Sequence, residues 1–571
     1  MKKIAVLFVL LLALLLCLAS CGESEVTGET ETTLDTEQTQ AETETDKKSE
    51  PAKQIEQDII KDGKALYRVV VSDKVDARTL TVIQDFIQDF YSNYKIQLSV
   101  LRDSATADGN LKEIIIGAAA RPDSTKLAEE HKSYFDYGYE FLDNGNIVIY
   151  GYGEEATEKM LNSLLNGMSK SGKTTTYKGY NKIESTYNKS YSSVPKASFG
   201  VVESIYTSTN GALQVTLAKV QKNDFSAYKS TLENAGFTKH SETSYDASND
   251  FATYKNDKLA VHISFHDKLD TMEIVIEKLG YLPAATAPSY TKKVDATLRQ
   301  MDINNGMQYV IQLEDGSFII IDGGVDNADD SNDLINYLVE RNQGTGNAKP
   351  QVTWMFTHAH PDHTGLAINF IAANKAKFDL NLVVFNLIDA EGKYGSSSFT
   401  DGSASSNLKL NNSIKDSFPK ADIMYCHTGQ TLYLAGVRID TMMTHEDVYP
   451  AKITSLNSTS TIWKFTFASG KKFLVLGDTF EQSAEVFVSL YEASAIDSDI
   501  VQGAHHGLNP ERVIEYVPKI YKAASPIIAM WPTQQIDRIQ NEQFIVSNGI
   551  LINDPNVINY YADVNHTVIL S

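Results

Sequence analysis

Seven consecutive residues, Thr357-His358-Ala359-His360-Pro361-Asp362-His363, bring three imidazoles and one carboxylate together directly after the apolar run Val352 to Phe356. Imidazole nitrogens and carboxylate oxygens suit zinc, and manganese and iron accept the same donors. His358 and His360 stand two apart, so in extended chain both project to one side. Asp362 and His363 follow a proline, which suits the first turn of a helix running on through Leu366, Ile368 and Phe370. Two ligand pairs then face each other across a gap, an arrangement for which packing alone has no use.

Elements that would complete such a site recur along the chain. Phe473 to Leu476 is an apolar run with strand character, and it ends in Gly477-Asp478. Ile500 and Val501 precede Gly503-Ala504-His505-His506-Gly507, where glycines let the backbone come close beside two imidazoles. Upstream, Phe318 to Ile321 runs into Asp322-Gly323-Gly324. Each chemical group therefore follows a short apolar run, as it would at the ends of buried strands.

In this order the motifs resemble the metallo-β-lactamase superfamily of binuclear hydrolases, over residues 290–571. They look most like the hydrolase-like domain of DNA-uptake competence proteins and related cell-surface phosphoesterases. The resemblance implies an αββα sandwich, two sheets face to face with helices outside and metals along one rim. It implies that His358 and His360 hold a first metal, that Asp362, His363 and His505 hold a second, and that Asp478 bridges them. His506 stands next to His505 and is an open alternative to it. Asp322 is expected to orient the histidine box rather than to ligate.

One position departs from the pattern. Many members place a further first-site histidine on the turn before the bridging aspartate, where this chain reads Asn457-Ser458-Thr459-Ser460-Thr461-Ile462-Trp463. Asparagine is a poor zinc ligand. His445 and His427 are the available substitutes, although either reads more simply as a loop histidine. Two zinc ions are expected, with manganese or iron as alternatives and the first site the weaker.

The chemistry implied is hydrolysis by a metal-bridging hydroxide, with Asp362 and Asp478 as the catalytic carboxylates. Aspartate at position 478 favours ester chemistry over β-lactam hydrolysis. A phosphoester is the first expectation, and a carboxylic ester or lactone stays open. The alternative is a surface binding or sensing protein whose hydrolase site has partly degenerated, for which Asn457 is the motive. Substrate choice is assigned to loops such as Asp389 to Asn412, rich in Ser and Gly.

The other end of the chain speaks to location. Lys2 and Lys3 precede an apolar run from Ile4 to Leu16, closed by Leu18-Ala19-Ser20-Cys21-Gly22. This is a secretory signal, and its small residues before Cys21 resemble a bacterial lipoprotein cleavage box. Residues 1–21 are therefore expected to be the signal, with Cys21 lipidated and the protein anchored on the extracytoplasmic face of the cell membrane. Cys17 lies in the signal, so Cys426 is left without an intrachain disulfide partner. Residues 22–55, rich in Thr, Glu and Gln, cannot bury enough surface to offset ordering and are expected to form an acidic tether. The formal charge of −22, from 51 basic and 73 acidic residues, disfavours a nucleic-acid partner.

Between tether and hydrolase-like region, residues 56–190 alternate strand and helix patterns and predict a small α/β domain. Residues 195–285 predict a small α+β domain, with strands at Ala212 to Val220, Phe251 to Tyr254, Ala260 to Phe265 and Met272 to Ile276, and a helix from Phe225 to Ala235 stopped by Gly236. His262 and His266 are read there as ordinary packing or surface histidines. Pro283 to Pro288 reads as the linker onward.

Overall fold

Phe318, Ile319, Ile320 and Ile321 are all fully buried, yet they divide between two cores. Ile319 and Ile321 face one hydrophobic cluster while Phe318 and Ile320 face another. Strand Gln351–Phe356 does the same, with Met355 on the first side and Val352, Trp354 and Phe356 on the second. This period of two marks a strand covered on both faces. Strand Lys472–Val475 repeats it, with Phe473 and Val475 inward and Leu474 outward against a third cluster.

A computed structural model describes residues 54–571, apart from 74, 76, 106–109, 118, 131–135, 152, 186–190, 192, 209–210, 389–405, 450, 452, 454, 509–513 and 542. The expected signal, Cys21, nearly all of the tether and most of the Asp389 to Asn412 loop lie outside the described residues. Of that loop, the part from Ser406 onward belongs instead to the helix Ser406–Ser417, whose Leu410 and Ile414 are buried. No described helix is long and apolar enough to cross a membrane.

Two seven-stranded sheets make up the C-terminal region. The first runs, in spatial order, Asp422–Tyr425, Asp379–Phe385, Gln351–Phe356, Phe318–Ile321, Tyr309–Gln312, Thr297–Gln300 and His566–Ile569. The second runs Thr431–Leu434, Val437–Met443, Ile462–Phe467, Lys472–Val475, Ile500–Gln502, Ile528–Trp531 and Ile558–Tyr561. Their inner faces share one core, in which Ile311, Ile321 and Met355 meet Trp463, Phe465 and Val475. Helices Ala328–Arg341 and Pro361–Asn374 cover the outside of the first sheet. Helices Glu481–Leu490 and Tyr516–Ala524 cover the outside of the second. The order helix, sheet, sheet, helix is the expected αββα sandwich.

Upstream, strands of Tyr67–Val71, Val100–Arg102, Lys112–Ile116 and Ile147–Tyr150 pair in parallel, and Asp136–Phe141 and Lys182–Ser185 extend the sheet antiparallel. The following region is a six-stranded antiparallel sheet carrying the helix Lys222–Asn234. Besides the expected strands, this sheet contains Val201–Thr207 and Thr238–Asp246. Its back packs on the sandwich: Tyr206 and Phe251 enter the core of the second sheet's outer face. Tyr245 Oη donates to the Gln430 carbonyl at 3.1 Å, and Gln214 Nε2 donates to the Glu446 carbonyl at 2.9 Å. Gly429 lies so close to this sheet that a Cβ there would stand 2.2 Å from the Phe251 ring.

Candidate metal centre

All the groups singled out at strand ends come together where the central strands of both sheets finish on one rim. The strand Gln351–Phe356 hands over to His358 and His360, and the helix Pro361–Asn374 begins with His360 as its cap and Pro361 in its first turn. The two sheets are tied there by the Thr461 N–H, which donates to the Thr357 carbonyl at 2.9 Å. Asp478 follows Gly477, whose φ of 57° is left-handed and whose Cβ would stand 2.9 Å from both Ser460 Oγ and Thr357 Cβ. Only glycine brings Asp478 in this close to the histidine box. The Asp478 N–H donates to Ser460 Oγ at 3.0 Å, fixing the turn.

Donor atoms fall into two groups that share one residue. His358, His360 and Asp478 form one, and Asp362, His363, His506 and Asp478 form the other; within each, ligand atoms lie within 4.8 Å of one another. His363 Nε2 is 3.2 Å from Asp478 Oδ1, while His506 Nε2 is 3.4 Å and His358 Nε2 3.8 Å from Asp478 Oδ2. His506 Nε2 also stands 3.3 Å from Asp362 Oδ2.

Supporting contacts decide which nitrogen of each ring is bare. Asp322 Oδ2 accepts from His363 Nδ1–H at 2.7 Å. Asp322 is itself held by the Thr357 N–H at 2.8 Å and the Thr357 hydroxyl at 2.7 Å. That hydroxyl's oxygen lies 3.1 Å from His358 Nδ1 and accepts its proton. The Pro532 carbonyl accepts from His506 Nδ1–H at 2.8 Å. In all three rings Nδ1 is held away from the cluster, so Nε2 faces into it; that of His358 lies 2.9 Å from His360 Nδ1. His363 Nε2, His506 Nε2 and Asp478 Oδ1 are buried and have no hydrogen-bond partner among the described residues. Converging bare nitrogens around a carboxylate fit a cation, and the nitrogen and oxygen set fits zinc or iron.

Electrostatics agree. Burial opposes charge on Asp478, yet His363, His506 and His505 outweigh it and hold its carboxyl well below the usual range. Burial likewise opposes a charged His506, but Asp478 and Asp362 push its pKa up to about 10. Burial opposes a charged His363 too, and Asp478, Asp322 and Asp362 raise it well above the ordinary histidine value. Without a metal, protons on these rings take its place. Burial, aided by His363, drives His358 the other way, well below that value.

Of His505 and His506, it is His506 that stands in the donor group with Asp362, His363 and Asp478. Both are left-handed, at φ 47° and 56°, and Gly507 continues the turn at φ 74°. Such conformations cost roughly 1–3 kcal/mol each for residues with a Cβ and cluster at functional sites. The turn carries His506 inward, whereas the expected ligand His505 is 19% exposed at the rim. His505 Nε2 lies 3.7 Å from Asp478 Oδ2 and 3.4 Å from Asn457 Nδ2, and its ring meets Phe480 edge-on at 4.6 Å. His505 thus occupies the side of the centre where Asn457 stands. Asp362, 29% exposed, is the other side chain of the cluster that reaches the outside.

His445 and His427 do not join either group around Asp478. His445 Nδ1–H donates to the Asn386 carbonyl at 3.1 Å, and His427 turns to Glu446.

No protein-family profile matches the chain, and no curated protein matches it. Among solved structures it is similar to CmlA, a diiron beta-hydroxylase from Streptomyces venezuelae, at 11% identity over 49% of this chain and 55% of that one, with a TM-score of 0.29. The chain therefore spans about half the length of that hydroxylase. It is similar to Igni18, a metallo hydrolase from Ignicoccus hospitalis, at 15% identity over 48% of this chain and 100% of that one, TM-score 0.27. Human short-form tRNase Z aligns at 10% identity over 48% of this chain and 99% of that one, TM-score 0.27. The two-sheet sandwich with paired ligand groups on its rim is the architecture implied by the resemblance to the metallo-β-lactamase superfamily.

Proposed function

We propose that this chain is a metal-dependent hydrolase of a phosphoester, held by lipid on Cys21 at the extracytoplasmic face of the cell membrane. One observation carries the catalytic part: Asp478 belongs to both ligand groups, so this one carboxylate would serve both ions. His358 and His360 would hold one ion, and Asp362, His363 and His506 the other. Bound there, divalent ions lower the pKa of water and offset negative charge that builds on the substrate.

The chain's own residues do the rest. Asp322 and Thr357 hold the His363 and His358 rings, and Pro532 holds His506, so these three rings already face the cluster. Asp362 and His505 alone of the cluster reach appreciably to the outside, so substrate would approach past them. His505 would be the histidine available to exchange a proton with the leaving oxygen. The anchoring part rests on Lys2, Lys3, the apolar run and Cys21.

The test is turnover of bis-p-nitrophenyl phosphate by the full chain, with metal content measured on the same sample. Zinc-dependent turnover lost in Asp478→Ala supports the proposal. A metal-loaded protein inert toward phosphoesters would contradict the substrate class, and a folded protein that takes up no metal at Asp478 would contradict the enzyme itself and favour the binding reading that Asn457 motivates. Membrane attachment is tested separately, by release of Cys21→Ala into the soluble fraction.

A further inference from the structure

A second group of buried histidine and carboxylate lies at the seam between the six-stranded sheet and the sandwich. His262 comes from strand Leu259–His266, Glu277 from strand Thr271–Lys278, and His427 from the turn between Asp422–Tyr425 and Thr431–Leu434. Their donor atoms all lie within 4.8 Å of one another. The two rings stack at 4.5 Å and 28°, and both Nε2 atoms face one carboxylate: His262 is 3.2 Å from Glu277 Oε1, and His427 is 3.6 Å from Glu277 Oε2.

Geometry at His427 is the informative part. The residue is 1% exposed, and its Nδ1 lies 2.8 and 3.0 Å from the two Glu446 oxygens, which accept its proton. Its Nε2 has no hydrogen-bond partner among the described residues. A separation of 3.6 Å is too long for an N–H···O bond. It is close to the ~3.3 Å between neighbouring donors of a tetrahedral zinc with bonds of about 2.0–2.1 Å. The carboxylate–histidine pair Glu446 and His427 is also the arrangement that orients a metal-bound imidazole. At His262, Nε2 is within hydrogen-bond distance of Glu277 Oε1, at 3.2 Å; Thr253 Oγ1, 3.0 Å from Nδ1, could accept the ring's proton there and free Nε2 for an ion. Gln430 Nε2 stands 3.2 Å from the same Nδ1, so metal binding makes the Thr253 hydroxyl, rather than this amide, its partner. Burial opposes a charged His427, but Glu446 and Glu277 push its pKa up to about 10, so a divalent ion at Nε2 would take the place of that ring's proton between the two carboxylates. A cavity of about 10 Å³ bordered by His262, Thr253, Gln430 and the exposed Glu242 gives water-sized access to the His262 side.

We propose that His262, Glu277 and His427 bind a zinc ion, separate from the pair at Asp478, that fastens the six-stranded sheet to the sandwich. Two nitrogens and one oxygen suit zinc, with water as the remaining ligand. The ligands come from both sides of the seam, so the ion binds only the docked arrangement and stabilises it.

The decisive experiment needs no substitution. Crystals of the full chain grown with zinc should show an anomalous-scattering peak at the zinc edge between His262, Glu277 and His427; no peak there overturns the proposal, whatever the Asp478 centre contains. In solution, the full chain carrying His363→Ala and Asp478→Ala should retain one tightly bound zinc per molecule and melt at a higher temperature with zinc than without. Adding Glu277→Gln should weaken that zinc at least tenfold and abolish the zinc-dependent rise. Unchanged zinc affinity after Glu277→Gln, or a folded parent variant that binds none, contradicts the assignment.

Discussion

The Asp478 centre and the His262–Glu277–His427 group use the same side chains on opposite plans. At Asp478 the ligands sit on turns just past strand ends, three of the surrounding residues (Asp322, His505 and His506) hold left-handed backbone, and Asp362 and His505 reach the outside. At the seam, two ligands stand on strands in regular register, with His262 opposite Thr253 and Val275, and none is more than 12% exposed. Partly exposed ligands on strained turns are the plan of a reacting site, and buried ligands on regular strands are that of a structural one. The difference teaches that ligand chemistry alone does not separate the two roles; backbone setting and exposure do.

The largest contrast should come from removing a ligand of each. His363→Ala or Asp362→Ala should lower phosphodiester turnover roughly a thousandfold, the loss of several kcal/mol of charge stabilisation, with the melting temperature close to wild type in Asp362→Ala, whose side chain is 29% exposed. Wild-type rates in either variant would break the assignment of the box. His427→Ala should act on the fold instead, destabilising by about 3–5 kcal/mol because the Glu446 carboxylate is left buried without its partner. Chemical denaturation measures this, and a change under about 1 kcal/mol would erase the contrast.

Next is the support around the reacting site. Asp322→Asn should weaken metal binding by roughly 10–100-fold, since the amide can still face Thr357 but no longer fixes the His363 tautomer. Metal titration followed by calorimetry would detect it. Within the His505-His506 pair, His506→Ala should lose metal, whereas His505→Ala should keep its metal and lose rate with a shifted pH profile. The reverse pattern would return the ligand role to His505.

The smallest effect concerns protons. At pH 7 the His506 ring of the metal-free protein, with its pKa near 10, carries a proton that metal must displace. Zinc uptake should therefore release protons and strengthen as pH rises. Calorimetry in buffers of different ionisation enthalpy reads this directly, and heats independent of buffer would contradict it.

The same comparison shows what was legible in the sequence. The His358-to-His363 box lies within one strand-to-helix turn, so spacing and an adjacent apolar run locate it. Gly477-Asp478 and Asp322 are likewise local, each at the end of an apolar strand. The choice of His506 over His505 was not legible, because two left-handed residues in succession decide which ring turns inward and composition does not report φ. The seam group was invisible for a different reason. His262, Glu277 and His427 lie far apart in the chain, and His262 and His427 read singly as packing or loop residues. Strand Thr238–Asp246 escaped because it is an edge strand of polar, largely uncovered residues without the apolar alternation of a half-buried strand.

The central claim is that Asp478 is shared by two ions of a hydrolytic centre. The most direct test is zinc content together with bis-p-nitrophenyl phosphate turnover, measured on the same samples of wild-type full chain and Asp478→Ala. The account predicts that the variant loses zinc from both ligand groups and loses turnover with it. A variant that keeps its full zinc complement, or that sheds the metal yet hydrolyses the ester at the wild-type rate, would contradict it.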